Sequence, residues 1–400
     1  MVAPLEGIVV VEVANYVAAP SAGALMRDLG AEVIKIEPPG GEVMRGVVPA
    51  GGGSGMPFNF LFELENRGKK SVSLALDAPG AVDALHRLLS RADVFLTNLM
   101  GPRLEKFGLT PQEVHTRNPR VVFAAVTGYG LEGPEAARPG FDFSAFWTRS
   151  GIMSLVGHPD GAPVLSRIAQ GDHTTGVTTL AAVLAALRVR GLTGGGQVGD
   201  ISLQQVGLYT IATDVSRTLL DGTQPKRFDR KAPDNPLFNT YPTRDGKWVM
   251  LVHMTPDPYW PRLCRALGCE EWSDDPGYAT MAARRARGAE IAAYIEGRML
   301  EADLAEWSAR LDEAGLIWAP MVEVPEVVQD PQLRLRGAFQ PLVTERGTFE
   351  TVGVPFVIRD ADMGVRGMAS GAGADTAEVL AWAGFSADEV AELAAGGALG

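Results

Sequence analysis

The opening of the chain, LEGIVVVEVANYVAAPSAGALMRDLGAEVIKIEPPGG over residues 5–41, constrains its fold most. Residues 7–13 and 32–37 are near-continuous apolar runs rich in β-branched side chains, and residues 21–29 between them read as a helix closed by Gly30. Strands that lack polar alternation are buried on both faces, the condition of a parallel sheet, and strand–helix–strand is the unit that builds one. Glu37 ends the second strand where a dinucleotide fold places a ribose-binding acid. Yet the turn Ala14-Asn15-Tyr16-Val17-Ala18-Ala19-Pro20 has no G-x-G-x-x-G, so a nicotinamide cofactor is not expected.

The alternation continues. A strand near 71–76 leads to Pro79 and a helix with Val82, Leu85, Leu88 and Leu89 on one face; strands at 94–97 and 121–127 alternate with helical stretches. Gly51-Gly52-Gly53-Ser54-Gly55 reads as a flexible loop, because no Gly-Lys-Ser/Thr follows it. A helix over 175–190, a strand over 197–203 and a helical segment over 204–220 run into a polar, Pro-containing stretch, 221–236, where a domain boundary is expected. Strands 238–243 and 247–253 flank Asp245-Gly246, a hairpin signal, and helices follow near 258–267, 283–299 and 301–314. The expected class is α/β: a large Rossmann-like open parallel-sheet domain over 1–220, then a smaller α+β domain over 221–325.

With 400 residues and 46% hydrophobic content the chain can bury a large core. No apolar run approaches 18 residues, and Glu6 and Glu12 interrupt the start, so neither a membrane span nor a secretory signal is expected and the protein is placed in the cytoplasm. Cys264 and Cys269 have no histidine pair at zinc-ligand spacing and read as buried thiols; no metal is expected. A net charge of −12 argues against nucleic acid and anionic membrane as partners.

The chemistry concentrates at QGDHTTG, residues 170–176. Asp172 lies between Gly171 and Gly176 ahead of a long apolar helix. A free aspartate with a pKa near ~3.9 is about a thousandfold more ionised than protonated at pH 7 and acts as a nucleophile without a general base. The alternative is that Asp172 or Thr174 caps a helix starting near Thr175.

Beyond this motif, residues 5–41, ENRGKKSVSLAL (65–76), ADVFLTNLMGPRLEKFGL (92–109), NPRVVFAAVTGYGLEGP (118–134), RPGFDF (138–143), LAALRVRGLTGGGQVGDISL (184–203), YPTRDGKWVMLV (241–252), DPQLRLRGAF (330–339) and an acidic Ala/Leu helix (375–394) follow one another. In these blocks, and in their order, the chain resembles the class III CoA-transferases of the CaiB/BaiF type, relatives of formyl-CoA transferase and α-methylacyl-CoA racemase. The resemblance implies a C-terminal return (326–400) to the large domain and a homodimer of two interlocked chains. It also implies transfer of CoA from an acyl-CoA donor to a carboxylic acid acceptor through an anhydride and a thioester on Asp172, with coenzyme A as substrate and no permanently bound cofactor. Backbone N–H groups near Gly171 or Gly176, or those of a nearby loop, are the candidates for stabilising the oxyanions.

By the same resemblance Val17, Ala18, Leu74, Leu76, Asn98, Leu99, Lys106 and Arg138 contact coenzyme A, and Tyr129, Phe141, Asp142 and Gly171 line the substrate pocket. Basic candidates for the polyanion are Arg67, Lys69, Lys70, Arg103, Lys106 and Arg138, while Asp77 stands where the family often has Lys. Trp147, Phe143 and Met153 join Tyr129 and Phe141 as candidates for an apolar acyl wall. The family's glycine-rich covering loop corresponds to Ala232-Pro233-Asp234-Asn235-Pro236, which has no glycine run. Two rival functions are an acyl-CoA racemase or isomerase, which needs a second base where this chain has Phe141, and a CoA-binding subunit without activity.

Overall fold

In the computed structural model, which describes residues 1–47, 56 and 58–400, the predicted opening is β1 (Val9–Val13), α1 (Ala18–Asp28) and β2 (Glu32–Glu37). The glycine-rich loop at 51–55 lies outside the described residues. There follow α2 (Phe60–Asn66), β3 (Lys70–Ser73), α3 (Ala81–Leu89), β4 (Val94–Thr97), α4 (Gly101–Lys106), α5 (Pro111–Arg117) and β5 (Val122–Thr127). A π-helical segment, Asp142–Thr148, precedes α6 (Ile152–Leu155), α7 (Gln170–Thr193), β6 (Val198–Ser202), α8 (Leu203–Thr210) and α9 (Ala212–Asp221).

The six strands form one parallel sheet in the order β3-β2-β1-β4-β5-β6. Val11 pairs with Ile34 on one side and Phe95 on the other. Successive side chains point to opposite faces, and both faces are apolar. Val10, Val33, Val94, Leu96, Val122 and Ala124 join the core under α1 and α7, whereas Val11, Ile34, Phe95, Phe123 and Ala125 join the core under α3 and α5. This two-sided burial is why the strands read as unbroken apolar runs. From β1 the chain winds first toward β3, then returns through β4 toward β6. The sheet therefore has a switch point between β1 and β4, where open α/β sheets bind ligands beyond the carboxyl ends of the strands.

The chain divides into two units, one comprising Met1–Ser154, Leu165–Thr223 and Pro331–Gly400, the other Leu155–Val164 and Gln224–Asp330. In the second, β7 (Phe238–Pro242) and β8 (Trp248–Val252) form the hairpin around Asp245-Gly246, extended by β9 (Trp318–Pro320). α10 (Trp260–Leu267), α11 (Glu271–Asp274), α12 (Met281–Ala286), α13 (Gly288–Met299), α14 (Leu304–Glu313) and α15 (Val324–Val327) complete it, around a core with Tyr241, Trp260 and Trp307. Cys264 and Cys269 are free and buried there. The C-terminal part brings α16 (Pro331–Leu335), the hairpin β10 (Phe339–Thr344) and β11 (Gly347–Val352), α17 (Thr376–Trp382) and α18 (Ala387–Ala395). Val379, Leu380 and Leu393 enter the same core as α3.

Several boundaries differ from those expected. α1 starts at Ala18 rather than 21, and the segment over 204–220 is two helices, broken at Ile211 (φ −113°). The segment over 283–299 breaks at Arg287 (φ −116°). The largest difference is α7, which spans 24 residues rather than 16, so that its first turn contains Asp172. By length and composition α7 is the one helix among the described residues long and apolar enough to cross a membrane, with 33% of its most apolar window buried. The sequence shows no unbroken apolar run there because threonines and glycines interrupt it. Here its glycines serve packing: a Cβ on Gly176 would stand 2.0 Å from Ser21 Oγ, so α7 and α1 approach as closely as their backbones permit.

Candidate active site

A cavity of about 210 Å³ opens at the switch point. The turn after β1 supplies Asn15–Ala18, the turn after β4 supplies Asn98, Leu99 and Met100, and Arg103 reaches it from α4. Thr127 and Gly128 follow from β5, Gly140 and Phe141 from the next loop, and Asp172 from the first turn of α7. Val17, Ala18, Asn98, Leu99, Phe141 and Asp172, spread over 155 positions of sequence, thus meet in one space.

The capping alternative for Asp172 is resolved by a different aspartate. α7 begins after Ala169, held in the left-handed region (φ 66°), and it is Asp142 Oδ1 that accepts the Gly171 N–H at 3.1 Å. A Cβ on Gly171 would stand 2.3 Å from that same oxygen and from the Phe146 ring, so glycine is required for the contact. With the helix end satisfied from outside, the Asp172 carboxylate accepts no hydrogen bond among the described residues and faces the cavity.

The expected ionisation needs correction. Burial, with the negative charges of Asp142 and Glu65, pushes the Asp172 carboxyl up to about 7, and the neighbouring His173 opposes this. Asp172 is therefore about half protonated at neutral pH. A more basic carboxylate is a stronger nucleophile once ionised and a poorer leaving group against a thiolate, and both favour forward reaction at a thioester. Asp142 is itself raised by burial, and its Oδ2 is buried without a partner. The His173 ring is engaged by Glu65, with Nε2 2.7 Å from Glu65 Oε1.

The wall of the cavity rests on buried charge. Glu12, fully buried in β1, binds Lys35 at 2.9 Å and Lys69 at 2.8 Å, and Lys35 also binds Glu42 at 2.9 Å. Lys35 Nζ donates to Ala14 O and Lys69 Nζ to Pro20 O, each at 2.8 Å, which fixes both ends of the turn after β1. Between them Glu42 accepts the N–H of Tyr16, a residue held at φ 67°, and Asn98 bonds Asn15 through both its carbonyl and its amide. Gly23 makes room for this cluster, since a Cβ there would lie 2.1 Å from Glu12 Oε2. Tyr16 in turn meets Phe141 edge to face at 5.7 Å across the cavity rim.

Other expected residues lie elsewhere. Leu74 is buried in the core under α3 and Leu76 packs beside it. Lys106 is bonded to Asp77, the acid that replaces the family lysine, and Arg138 to Glu135 at 3.0 Å; both cations are exposed. Lys69 belongs to the buried cluster, Arg67 is buried against Asp28 at 2.6 Å, and Lys70 is shared by Glu32 and Glu378. Of the basic candidates only Arg103 lines the cavity, and it forms no ion pair among the described residues. Glu37 does not await a ribose: Arg45, Ser71 Oγ and the Glu42 N–H bind it. Trp147, Phe143, Met153 and Tyr129 pack on the sheet core, leaving Phe141, 57% exposed, as the one of these candidates that lines the cavity. Gly171 N–H is occupied by Asp142, so it is no oxyanion donor; the N–H of Gly140, on the cavity wall, makes no hydrogen bond among the described residues. Ala232–Pro236 belongs to the second unit, where Asn235 Nδ2 bonds His253 O at 2.9 Å.

The sequence reading named Arg103 among several basic candidates without singling it out, and it missed Glu65 as the partner of His173 and Tyr16 as part of the rim. Neither Glu65 nor Tyr16 left a local signal in the sequence.

Comparison with known proteins agrees with this geometry. The model of a family described as CoA-transferase family III matches residues 5–376. The chain is 31% identical over 391 residues to the (R)-2-hydroxy-4-methylpentanoate CoA-transferase of Clostridioides difficile, covering 96% of this chain and 97% of that one. It is 32% identical over 350 residues to the succinate–glutarate CoA-transferase of Agrobacterium fabrum, covering 86% of each. The crystal structure of a CAIB/BAIF family protein from Brucella suis superposes with a TM-score of 0.83 at 30% identity, covering 96% of this chain and all (100%) of the other. The match spans the sheet, the switch-point turns and α7 together, and the chain belongs to CoA-transferase family III.

Proposed function

We propose that the protein moves CoA from an acyl-CoA to a free carboxylic acid through covalent intermediates on Asp172. The observation that carries this reading is an Asp172 carboxylate that accepts no hydrogen bond at the cavity while Asp142 caps its helix. An Asp172 oxygen attacks the thioester carbonyl, the C–S bond breaks, and CoA thiolate leaves a mixed anhydride. The thiolate then attacks the Asp172 carbonyl and releases the donor acid, which carries away the bridging oxygen. The acceptor carboxylate repeats these steps in reverse and restores the aspartate with one of its own oxygens. Gly140 N–H, on the cavity wall, is the donor offered to the oxyanions.

A cavity of about 210 Å³ is smaller than the roughly 300–1,000 Å³ of sites that enclose whole drug-sized ligands, so it holds the reacting end of the thioester. The nucleotide lies outside it, past Asn98 and α4, where Arg103 meets its phosphates. Arg103→Ala is expected to raise KM for acyl-CoA about tenfold, the loss of one charge-assisted contact. KM for the acceptor acid should hold. Lys106→Ala, already neutralised by Asp77, should change KM less than about twofold; equal effects in steady-state kinetics would discard the distinction.

The racemase alternative is not favoured, because Phe141 has no proton to give and the ring of His173 is held by Glu65 rather than across the cavity from Asp172. A second copy of the chain is the expected partner. α7 leaves Val177, Leu184, Val189 and Leu192 exposed, and α9 leaves Leu219 and Leu220 more than four-fifths exposed at 81% and 89%.

The test is mass spectrometry of the peptide containing Asp172 after incubation with acyl-CoA. A hydroxylamine-sensitive adduct there, and ¹⁸O from labelled acceptor appearing on Asp172, are expected. Turnover with no label on Asp172 would refute the nucleophile.

A further inference from the structure

We propose that Glu65 positions His173, the residue next to Asp172, as a cationic imidazolium whose charge offsets the carboxylates around Asp172 and keeps the nucleophile from holding its proton to still higher pH. This rests on the reading of Asp172 as the attacking group.

The geometry begins with α2. Asn59 caps its start, accepting the Phe62 N–H at 3.1 Å and donating to Met44 O at 2.8 Å. At its end Asn66, fully buried, accepts from Lys69 Nζ, and Arg67 is pinned to Asp28. A helix fastened at both ends holds Glu65 in place with 4% of its side chain exposed. A carboxylate so buried needs a donor, and His173 Nε2 at 2.7 Å supplies it. Such a bond is strongest when the ring is an imidazolium, and Glu65 accordingly raises the His173 pKa.

His173 follows Asp172 directly, so the cation that Glu65 creates sits one residue from the nucleophile. Three charged groups act on Asp172: Asp142 and Glu65 disfavour its ionised form, and His173 favours it. Of the elements packed on this part of α7, α1 presents Ala18 and Ser21, and α8 and β5 carry no charged residue. Asp200 on β6 is engaged by the Leu131 N–H at 2.9 Å. Without the imidazolium, Asp172 would face two carboxylates alone and hold its proton to higher pH.

Single-turnover formation of the Asp172 adduct, followed by mass from pH 5 to 9 on the full-length protein, reads this directly. The wild type should show an acid limb near pH 7. His173→Gln keeps a donor toward Glu65 but removes the charge, so its limb should move up by about one pH unit with the alkaline plateau within about threefold. His173→Asn is the second variant, expected to move the limb in the same direction. Glu65→Gln removes the carboxylate and lets the ring become neutral, two changes that offset, so its limb should stay close to the wild type. The double variant should behave like Glu65→Gln.

A limb that stays put in both His173 variants overturns the pair. So does an equal loss of plateau in all variants with no movement of the limb, which a purely structural role would give. A wild type that forms no adduct refutes the nucleophile itself, whereas a wild-type adduct with an unmoved limb refutes the pair alone.

Discussion

Asp172→Asn is expected to lose transfer activity by about four orders of magnitude or more while still binding acyl-CoA and becoming more resistant to heat at alkaline pH. The activity loss follows because the amide cannot form the anhydride. The stability gain follows from the same burial that tunes the carboxyl. Its folded pKa of about 7 lies above the roughly 3.9 of an unfolded aspartate, so between those values the folded chain binds more protons than the unfolded one. Stability therefore falls as pH rises across that window, and the ionised side chain is a liability at pH 8. Holding the carboxyl so far above its unfolded value would cost about 4 kcal/mol if fully transmitted; partial exposure and solvent screening reduce the expected gain in the variant to about 1–2 kcal/mol. Thermal scans should show the variant melting roughly 2 °C above wild type at pH 8, and level with it near pH 4. A variant less stable than wild type at pH 8 would mean the carboxylate holds the site together rather than straining it.

The second large effect is expected at Lys69, which is buried behind the turn that lines the cavity and does not line it itself. Lys69→Met leaves Glu12 buried in the sheet with one cation in place of two, and breaking such a pair from one side costs about 3–5 kcal/mol. Denaturant midpoints report the loss. Glu12→Gln together with Lys69→Met removes the orphaned charge and should recover part of it. Because Lys69 also holds Pro20 O, the folded fraction of Lys69→Met should bind acyl-CoA more weakly, with KM raised and kcat little changed. Full stability in Lys69→Met would show that water reaches the cluster and solvates its charges.

The same residue shows where sequence reading loses its grip. The Rossmann-like sheet was legible because burial on both faces leaves an unbroken apolar signal, and the β7–β8 hairpin because Asp245-Gly246 fits a tight turn. Asp172 was legible as a carboxylate between glycines. Its helical setting was not, because Gly171 reads as a breaker until Asp142 and Phe146 are seen pressed against it. Charge was read worst. Arg67 and Lys69 look like solvent-facing phosphate ligands in one dimension, yet their partners Asp28 and Glu12 lie 39 and 57 positions away, a distance that no local pattern carries. The pKa of Asp172 failed for the same reason, since Asp142 and Glu65 enter from other elements.

The contact of Gly176 with Ser21 presses α7, which carries the proposed nucleophile, against α1, which starts at the turn lining the cavity, with no room for a methyl group between them. On the proposed mechanism such close packing favours exchange of donor for acceptor by traffic through the opening over flexing of the floor. Tyr16 and Phe141 stand at that opening, outside the helix contact. Variation at the doorway can retune which acids enter while the angle of attack inside stays as it was, whereas bulk added at the helix contact would misalign every substrate alike.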